Sequence, residues 1–453
     1  MIRYTSAKQL KIEEFSSPFE LAIDPENRWV KLSNLIDWDV IVKSYIAKMN
    51  INLGRPGINP RVAIGAFLVK HILKLSDEET LKTIQENVYV QYFLGFNTYQ
   101  SKLAFSPNLF VEIRKRMGLE EFNNFNDLLC KEAYKEKDEK VNKNPKVLNF
   151  GKLQADATVC DQYIKYPTDL DLLNQAREWT EEIIDELYLK LGVLGSKPRT
   201  YRQIARKDWL NTSKKKNKSS KVLRKAIKKQ LNYLTRNFKS IEKQLDSTDD
   251  RTIPLSRNLL KKYYVIQNVY SQQKEMYDNK TKKHPDRIVS ISQPHVRPIP
   301  RGKQNRKTEF GAKVNISLDN GFARIDRLDW NAFNEGGELI TQIEAYKTIH
   351  GYYPELVLVD RIYATRENRK WLKKNGIRIT AEPLGRKPKK GTVSAKEKAK
   401  RKKEYNERNH VEGKFGQGKN AYNLNRIRTR LRTTSESTIA CIFVVMNLIK
   451  LLT

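Results

Sequence analysis

The hydrophobic period of this chain changes near residue 150, and no purely helical fold accommodates that change. From Leu32 to about Gly118 the apolar residues recur at helical spacing, whereas Leu153-Gln-Ala-Asp156-Ala-Thr-Val159 alternates and ends in β-branched residues. That is the pattern of a strand with one buried face. Asp156 is the only charge inside it. A carboxylate in mid-strand costs free energy unless it binds a cation or is well hydrogen-bonded, and the alanines on either side argue against an exposed edge strand. Asp161, Asp169 and Asp171 lie close by and are secondary candidates for the same role.

Before the change, residues 1–31 carry little periodic signal and read as an extended arm, and 32–129 read as a helical domain. Pro60 can start a helix striped by Val62, Phe67, Leu68, His71 and Leu75, and Ser76-Asp-Glu-Glu79 has the form of a capping box. Ser106-Pro107 predicts another helix start, over Asn108–Met117, with Gly118 closing it. Short helices with tight turns resemble a helix-turn-helix module, in which Arg114, Lys115 and Arg116 could meet phosphate. The plainer alternative is a helical bundle with solvated charges. The Lys/Glu-rich segment 130–149 reads as a linker.

After the first strand, residues 171–286 are helical and increasingly basic. Leu223, Ile227, Leu231, Leu234, Phe238, Ile241 and Leu245 form one seam, and Leu259, Tyr263, Ile266, Tyr270 and Tyr277 a second. The two predict an antiparallel helical hairpin. Strand signals return at Arg287–Ser292, before a proline-stiffened basic loop that contains Arg297, Arg301 and Lys303. Asn320-Gly321 between two alternating runs is a strong hairpin signal. Glu338–His350 is an amphipathic helix, and Leu356-Val-Leu-Val-Asp360 a buried strand that delivers a carboxylate at its end, where α/β folds place ligand groups; the alternative is a helix N-cap. Ile377–Glu382 is a further strand, and 385–403 a basic connection. Arg426, Arg428, Arg430 and Arg432 alternate, as an edge strand or a phosphate-tracking segment would.

Composition narrows the partner. The chain has 453 residues, with 86 Lys+Arg against 52 Asp+Glu and a net charge of +34. Such an excess repels itself unless a polyanion neutralises it, so nucleic acid is the expected partner. The three cysteines, Cys130, Cys160 and Cys441, are scattered without metal-ligand spacing, which argues against a zinc or disulfide framework and suits a reducing cytoplasm. The N-terminus lacks the apolar core of a signal peptide. The apolar run Ile439–Leu452 contains Asn447 and Lys450, is too short to span a bilayer, and reads as a buried terminal helix, so no membrane is expected.

Chemistry concentrates in Tyr405-Asn-Glu-Arg408-Asn-His-Val-Glu412-Gly-Lys-Phe-Gly-Gln-Gly-Lys419. Two, three and six residues separate Tyr405, Arg408, Glu412 and Lys419 in turn. If Glu404–Phe415 is helical, the first three share one face. A carboxylate for a hard metal ion, with a guanidinium and a phenol for phosphate oxygens, suits a phosphodiester. An exposed Arg–Glu pair on a basic helix is the bland reading of the same spacing.

At this point the chain resembles bacterial insertion-sequence transposases of the DDE type, in the branch with an InsH-like helical N-terminal domain. The resemblance rests on Leu153–Val159 with Asp156, on Leu356–Asp360 followed by Arg361-Ile-Tyr, and on the Y-(2)-R-(3)-E-(6)-K signature of Tyr405, Arg408, Glu412 and Lys419. It rests also on Gly54-Arg-Pro with Leu75-Ser76-Asp-Glu-Glu. It implies an α/β (α+β) fold in which an RNase H-like catalytic core, 150–453, is interrupted by a large helical, basic insertion at about 171–286 and preceded by the helical domain. It implies a transposase that cuts at terminal inverted repeats and joins the 3′-OH ends to target DNA, with Asp156, Asp360 and Glu412 holding two Mg²⁺ ions (Mn²⁺ substituting). Tyr405, Arg408 and Lys419 would position phosphates, on double-stranded DNA bound by a homodimer in the cytoplasm, at the nucleoid. An RNase H-like nuclease without strand transfer, or a DNA-binding protein with a dead core, are the alternatives.

Overall fold

The first helices already show how locally written this fold is. In the computed structural model, which describes residues 23–49, 57–142, 148–191, 196–247, 252–300, 308–381 and 394–452, the first helices are α1 (Arg28–Leu35), α2 (Trp38–Ile46), α3 (Pro60–Leu73) and α4 (Asp77–Glu86). Pro60 does open α3, behind an Asn59 cap, and Ser76 and Glu79 close a reciprocal capping box on α4. Such a cap is worth about 1 kcal/mol. Asn87 both ends α4 and caps α5 (Val88–Phe93), so the turn between them has no residue to spare. Then come α6 (Leu109–Arg116) and α7 (Leu119–Asn142). The Ser106-Pro107 start begins α6 one residue later than expected, because Ser106 to Asn108 form a preliminary turn. Gly118 does not close α6 with a left-handed cap; its amide donates to Glu121 at the start of α7.

Of the expected arm, residues 1–22 lie outside the described residues, as do Gly54-Arg55-Pro56, and Arg28–Leu35 is helix rather than arm. Residues 130–142, expected in a linker, instead continue α7. The Lys/Glu-rich composition hides an inward ladder at i, i+4 spacing, in which Asn126, Cys130, Tyr134 and Asp138 are all buried.

The remaining elements, in order, are β1 (Lys152–Asp161), α8 (Asp169–Leu191), α9 (Arg202–Ser213), α10 (Ser220–Leu245), α11 (Arg257–Asp278), β2 (Arg297–Pro300), β3 (Thr308–Asp319), β4 (Phe322–Asp329), α12 (Leu339–His350), β5 (Leu356–Val359), α13 (Arg366–Lys374), β6 (Arg378–Ile379), α14 (Ala395–Ala421) and α15 (Arg432–Leu451). They form a mixed α/β fold with a single sheet. The chain divides into two compact units: residues up to Asp161 with Lys313–Asp329 and everything from Phe333, and residues Gln162–Ala312 with Trp330–Ala332.

In the first unit the sheet runs β4, β3, β1, β5, β6, with β1 parallel to β5, β5 parallel to β6, and β3–β4 an antiparallel hairpin. Asn320 and Gly321 turn that hairpin with φ of 45° and 84°, the backbone that Asn-Gly adopts most readily. One face of β1 and β5 packs Leu153, Ala155, Val357 and Val359 against Leu339, Ile343, Tyr346 and Leu372 of α12 and α13. Each such fully buried aliphatic side chain contributes about 1.5–3 kcal/mol.

The N-terminal helices belong to this same unit. β4 is an edge strand, and its outward backbone groups are taken by side-chain amides. Asn126 of α7 donates to the Ala323 carbonyl at 2.9 Å, and Asn447 of α15 accepts from the Ala323 amide at 3.0 Å and donates to its carbonyl at 2.7 Å. An edge covered in this way cannot template further pairing. α15 is flanked by α3, α6, α7 and β4 and is buried along most of its length. It runs from Arg432, longer than expected, and by length and composition alone it could cross a bilayer. Burial, rather than shortness, accounts for its apolar sequence.

The second unit is built on α8, α10 and α11. Leu172, Leu173 and Ala176 of α8 meet Leu231 and Leu234 of α10 and Ile266 and Val269 of α11. The expected two-helix hairpin is therefore a three-helix arrangement, in which α10 packs most extensively on α8 and Asn237 donates to the Thr180 hydroxyl at 2.9 Å. Arg287–Ser292, expected as a strand, is irregular, and its Ile288 and Ile291 plug the same core. The Arg297 segment pairs as β2 with Thr308–Gly311, an edge position that tolerates Pro298 and Pro300.

Candidate active site

Alternation along β1 puts Asp156 on the face opposite Leu153 and Ala155, and that face meets α14. Lys152, on the Asp156 side of the strand, confirms the direction by pairing with Glu407 of α14 at 2.6 Å. The parallel register pairs Ala155 with Val359. Asp156 and Asp360 therefore occupy the next positions on neighbouring strands, which lie about 4.8 Å apart in a sheet. Asp360 follows the last residue of β5, is exposed, and accepts from the Arg361 amide at 2.7 Å, capping a single 3₁₀ turn over Arg361–Tyr363. Asp360 thus stands at the strand end and caps this turn, while the helix expected to follow, over Arg366–Lys374, is capped by Thr365 instead.

α14 starts at Ala395, so residues 395–403 of the expected basic connection are helical, while 385–393 lie outside the described residues. Tyr405, Arg408, Glu412 and Lys419 all stand on this helix, and at 100° per residue they share one face. Arg408 reaches Glu412 at 3.5 Å and stacks 5.3 Å from the Tyr405 ring. The Arg–Glu pair of the bland reading is present, but it is not a solvated one. The Arg408 side chain is 11% exposed against 59% for Glu412. Its Nε is buried with no hydrogen-bond partner, a costly condition that an incoming oxyanion would relieve.

Electrostatics ties these groups together. The Asp156 carboxyl is pushed up to about 6, first by burial and then by the like charges of Glu335 and Glu412, against the Ala157 amide and the Arg408 guanidinium, which hold it down. Tyr363, buried with its hydroxyl donating to Asn315 at 2.7 Å, is raised by burial and by the charges of Glu335, Asp156, Asp326 and Asp360. Among the described residues no three Asp, Glu, His or Cys side chains stand close enough together to hold a metal ion. Carboxylates such as Asp156, Asp360 and Glu412 are nevertheless the donors that hard cations take.

Glu335 was not expected. It pairs with Lys313 at 2.6 Å, both largely buried, and it follows β4 in the 3₁₀ turn Glu335–Glu338. Gly336 comes so close to the Ile362 carbonyl that a Cβ would stand 2.5 Å from it, and Asn368 donates to the carbonyls of Gly336 and Tyr363 at 2.7 Å each. The Glu335 turn and the Asp360 turn are thereby locked together. The one sequence signal was a charged residue directly before a Gly-Gly pair.

The other candidates fare differently. Arg114 is not a surface group: it is 6% exposed, bonded to Asp77 and stacked over Phe67 and Phe110, which withdraws it from phosphate contact. Lys115 is exposed beside Glu112 at 2.8 Å, and Arg116 donates to the Tyr45 hydroxyl at 2.9 Å. Arg297 bonds the Val296 carbonyl at 3.3 Å, and Arg301 and Lys303 lie outside the described residues. Arg426, Arg428 and Arg430 are exposed on an irregular extended segment, while Ile427 between them is buried and its amide donates to the Asp161 carbonyl at 2.9 Å. Asp169 and Asp171 serve structural bonds, to Gln273 and Trp209 at 2.8 and 2.9 Å.

Comparison with known proteins finds two family matches. Residues 17–116 match a family described as a transposase domain, and residues 357–449 match one described as a transposase DDE domain. The second match contains Asp360 and Glu412, and Asp156 lies outside both. The chain is also similar to an uncharacterised protein, ORF8 of the nfe locus of Rhizobium meliloti, with 28% identity over 169 residues, 37% of this chain and 77% of that protein. No solved structure matches it significantly. With transposase families matched at both ends of the chain, it belongs to the insertion-sequence transposases of the DDE type.

Proposed function

We propose that this transposase cuts the DNA at the terminal inverted repeats of its insertion sequence and joins the freed 3′-OH ends to target DNA, at a site formed by Asp156, Asp360 and Glu412. One observation carries the proposal: two aspartates on neighbouring positions of parallel strands face the helix that presents Glu412 and the buried, partly unpartnered Arg408. A sheet whose central parallel pair carries both aspartates also supports an RNase H-like core.

Asp156, Asp360 and Glu412 would hold two Mg²⁺ ions, for which Mn²⁺ could substitute; bound there, such a pair supplies stabilisation of the attacking and departing oxygens. The residues of the chain do the rest. Arg408 turns its free Nε to a non-bridging phosphate oxygen, and Tyr405 and Lys419 bind neighbouring oxygens from the same face of α14. In the first reaction a water oxygen forms the new P–O bond and the 3′ oxygen leaves. In the second, the oxygen of that 3′-OH forms a P–O bond to a target phosphorus, the target's own 3′ oxygen leaves, and the hydroxyl proton passes to solvent. Two protomers pair two ends, in the cytoplasm at the nucleoid, with the helical module and the extended arginine segment following the backbone.

A labelled inverted-repeat end incubated with Mg²⁺ tests this. Strand-joined product is expected. Cleavage alone would leave a nuclease, and binding alone a protein with a dead core.

A further inference from the structure

α14 has a second functional face. Its buried stripe is Glu404, Val411, Phe415 and Gly418, and Arg408 borders that stripe on one side while Lys414 borders it on the other. Lys414 is 8% exposed, and among the described residues its ammonium makes no hydrogen bond or ion pair. Charged side chains are almost never buried without a partner. It lines an open groove of about 580 Å³ with His410, Gln417, Asn320 and Lys450. Burial acts most strongly against the charge of Lys414, and the Lys450 ammonium, 5.2 Å from the Phe322 ring, acts against it as well, while Cys130 favours it. Among the described residues no carboxylate lines this groove.

We infer that the groove between Lys414 and Lys450 binds a backbone phosphate of DNA, on the flank of α14 away from the Arg408–Glu412 face. Two ammonium groups supply the charge, lysine being a point-charge phosphate binder, and the Asn320 and Gln417 amides supply neutral donors. An oxyanion there offsets both the burial and the like charge of Lys450 that oppose the Lys414 ammonium. The inference rests on the reading that this chain acts on DNA, since a free phosphate carries the same chemistry. Because the groove and the carboxylates use different flanks of one helix, the phosphate it holds is not the one being cut.

The test uses the full chain with Lys414→Met, which keeps the length and suits a buried site, and with Lys450→Gln, a less buried position should the first variant fold poorly. Affinity for an inverted-repeat duplex is measured against salt. Loss of one phosphate contact lowers the slope of log affinity against log salt by about 0.9, and that drop is expected in each variant. In a second arm, inorganic phosphate is compared with chloride at equal ionic strength by thermal shift. Phosphate should stabilise the wild type and not Lys414→Met. An unchanged slope together with an unchanged thermal shift overturns the inference. A lost thermal shift with an unchanged slope overturns the DNA assignment and leaves a free-phosphate site. If the wild type binds no duplex at any salt, the transposase reading fails, and the phosphate arm alone decides the groove.

Discussion

Asp156→Asn should make the protein more stable and inactive at once. The carboxyl stands at about 6 instead of its ordinary 3.8 because burial, Glu335 and Glu412 oppose its charge. At 1.36 kcal/mol per pH unit, the ionised form therefore costs the folded state about 3 kcal/mol at neutral pH. The sign follows from linkage: the folded chain holds this proton more tightly than the unfolded one, so stability is lost as pH rises from about 4 to about 6 and stays lost above that. Asparagine keeps the shape and can still accept from the Ala157 amide. The variant should melt several degrees higher at pH about 7.5 in chelator, at about 2–4 °C per kcal/mol for a domain of a few hundred residues, and the advantage should vanish near pH 4. Added Mg²⁺ should stabilise the wild type and do little for the variant. No gain at neutral pH, or a gain that persists undiminished at pH 4, would refute the electrostatic account of the site.

Glu412→Ala should abolish cleavage of a labelled end while leaving end binding intact, and wild-type cutting by that variant would remove Glu412 from the site. Arg114→Met should cost about 1–3 kcal/mol, since Asp77 loses one partner but keeps Lys70 at 2.9 Å. Its salt dependence of DNA binding should match the wild type; a reduced slope in a folded variant would return Arg114 to the DNA surface. His350 offers a separate pH effect. Burial works against its charge, but Asp319 and Asp138, 3.3 and 2.8 Å away, outweigh burial and hold its pKa above the ordinary 6.5. The stability it adds is complete below pH 6.5 and fades as pH rises through the raised value. Melting points of the wild type and His350→Gln should therefore converge at high pH, and a constant difference across the range would contradict the charged clamp.

The local elements were legible because local chemistry writes them: Pro60, the Ser76–Glu79 box, the Asn320-Gly321 turn and the alternation around Asp156 each need only their neighbours in sequence. The Tyr405–Lys419 spacing announced a shared helix face, and the helix is longer than its apolar content suggested because Ala395–Lys403 propagates on helix propensity. What escaped depends on contacts between distant segments. Tyr134 and Asp138 looked like part of a solvated linker until His350 and Asp319 supplied their reason for being buried. Arg114 looked available because nothing nearby in sequence foretold Asp77 and Phe110 around it. Glu335 lacks any periodic signal, since its place beside Asp156 is set by the close approach of Gly336 to Ile362. The two seams after residue 220 were read correctly as seams, but two stripes cannot reveal that a third helix, α8, lies between their claims.

The seating of α15 among α3, α6 and α7 has a consequence for how the chain is born. A ribosome releases the first helices long before the segment that covers them exists, so their apolar faces wait until α15 emerges. A product interrupted before Arg432 would leave those faces bare and the Ala323 backbone groups without Asn447, a ready substrate for chaperones and proteases. Broken gene copies would therefore not accumulate as free-standing folded fragments.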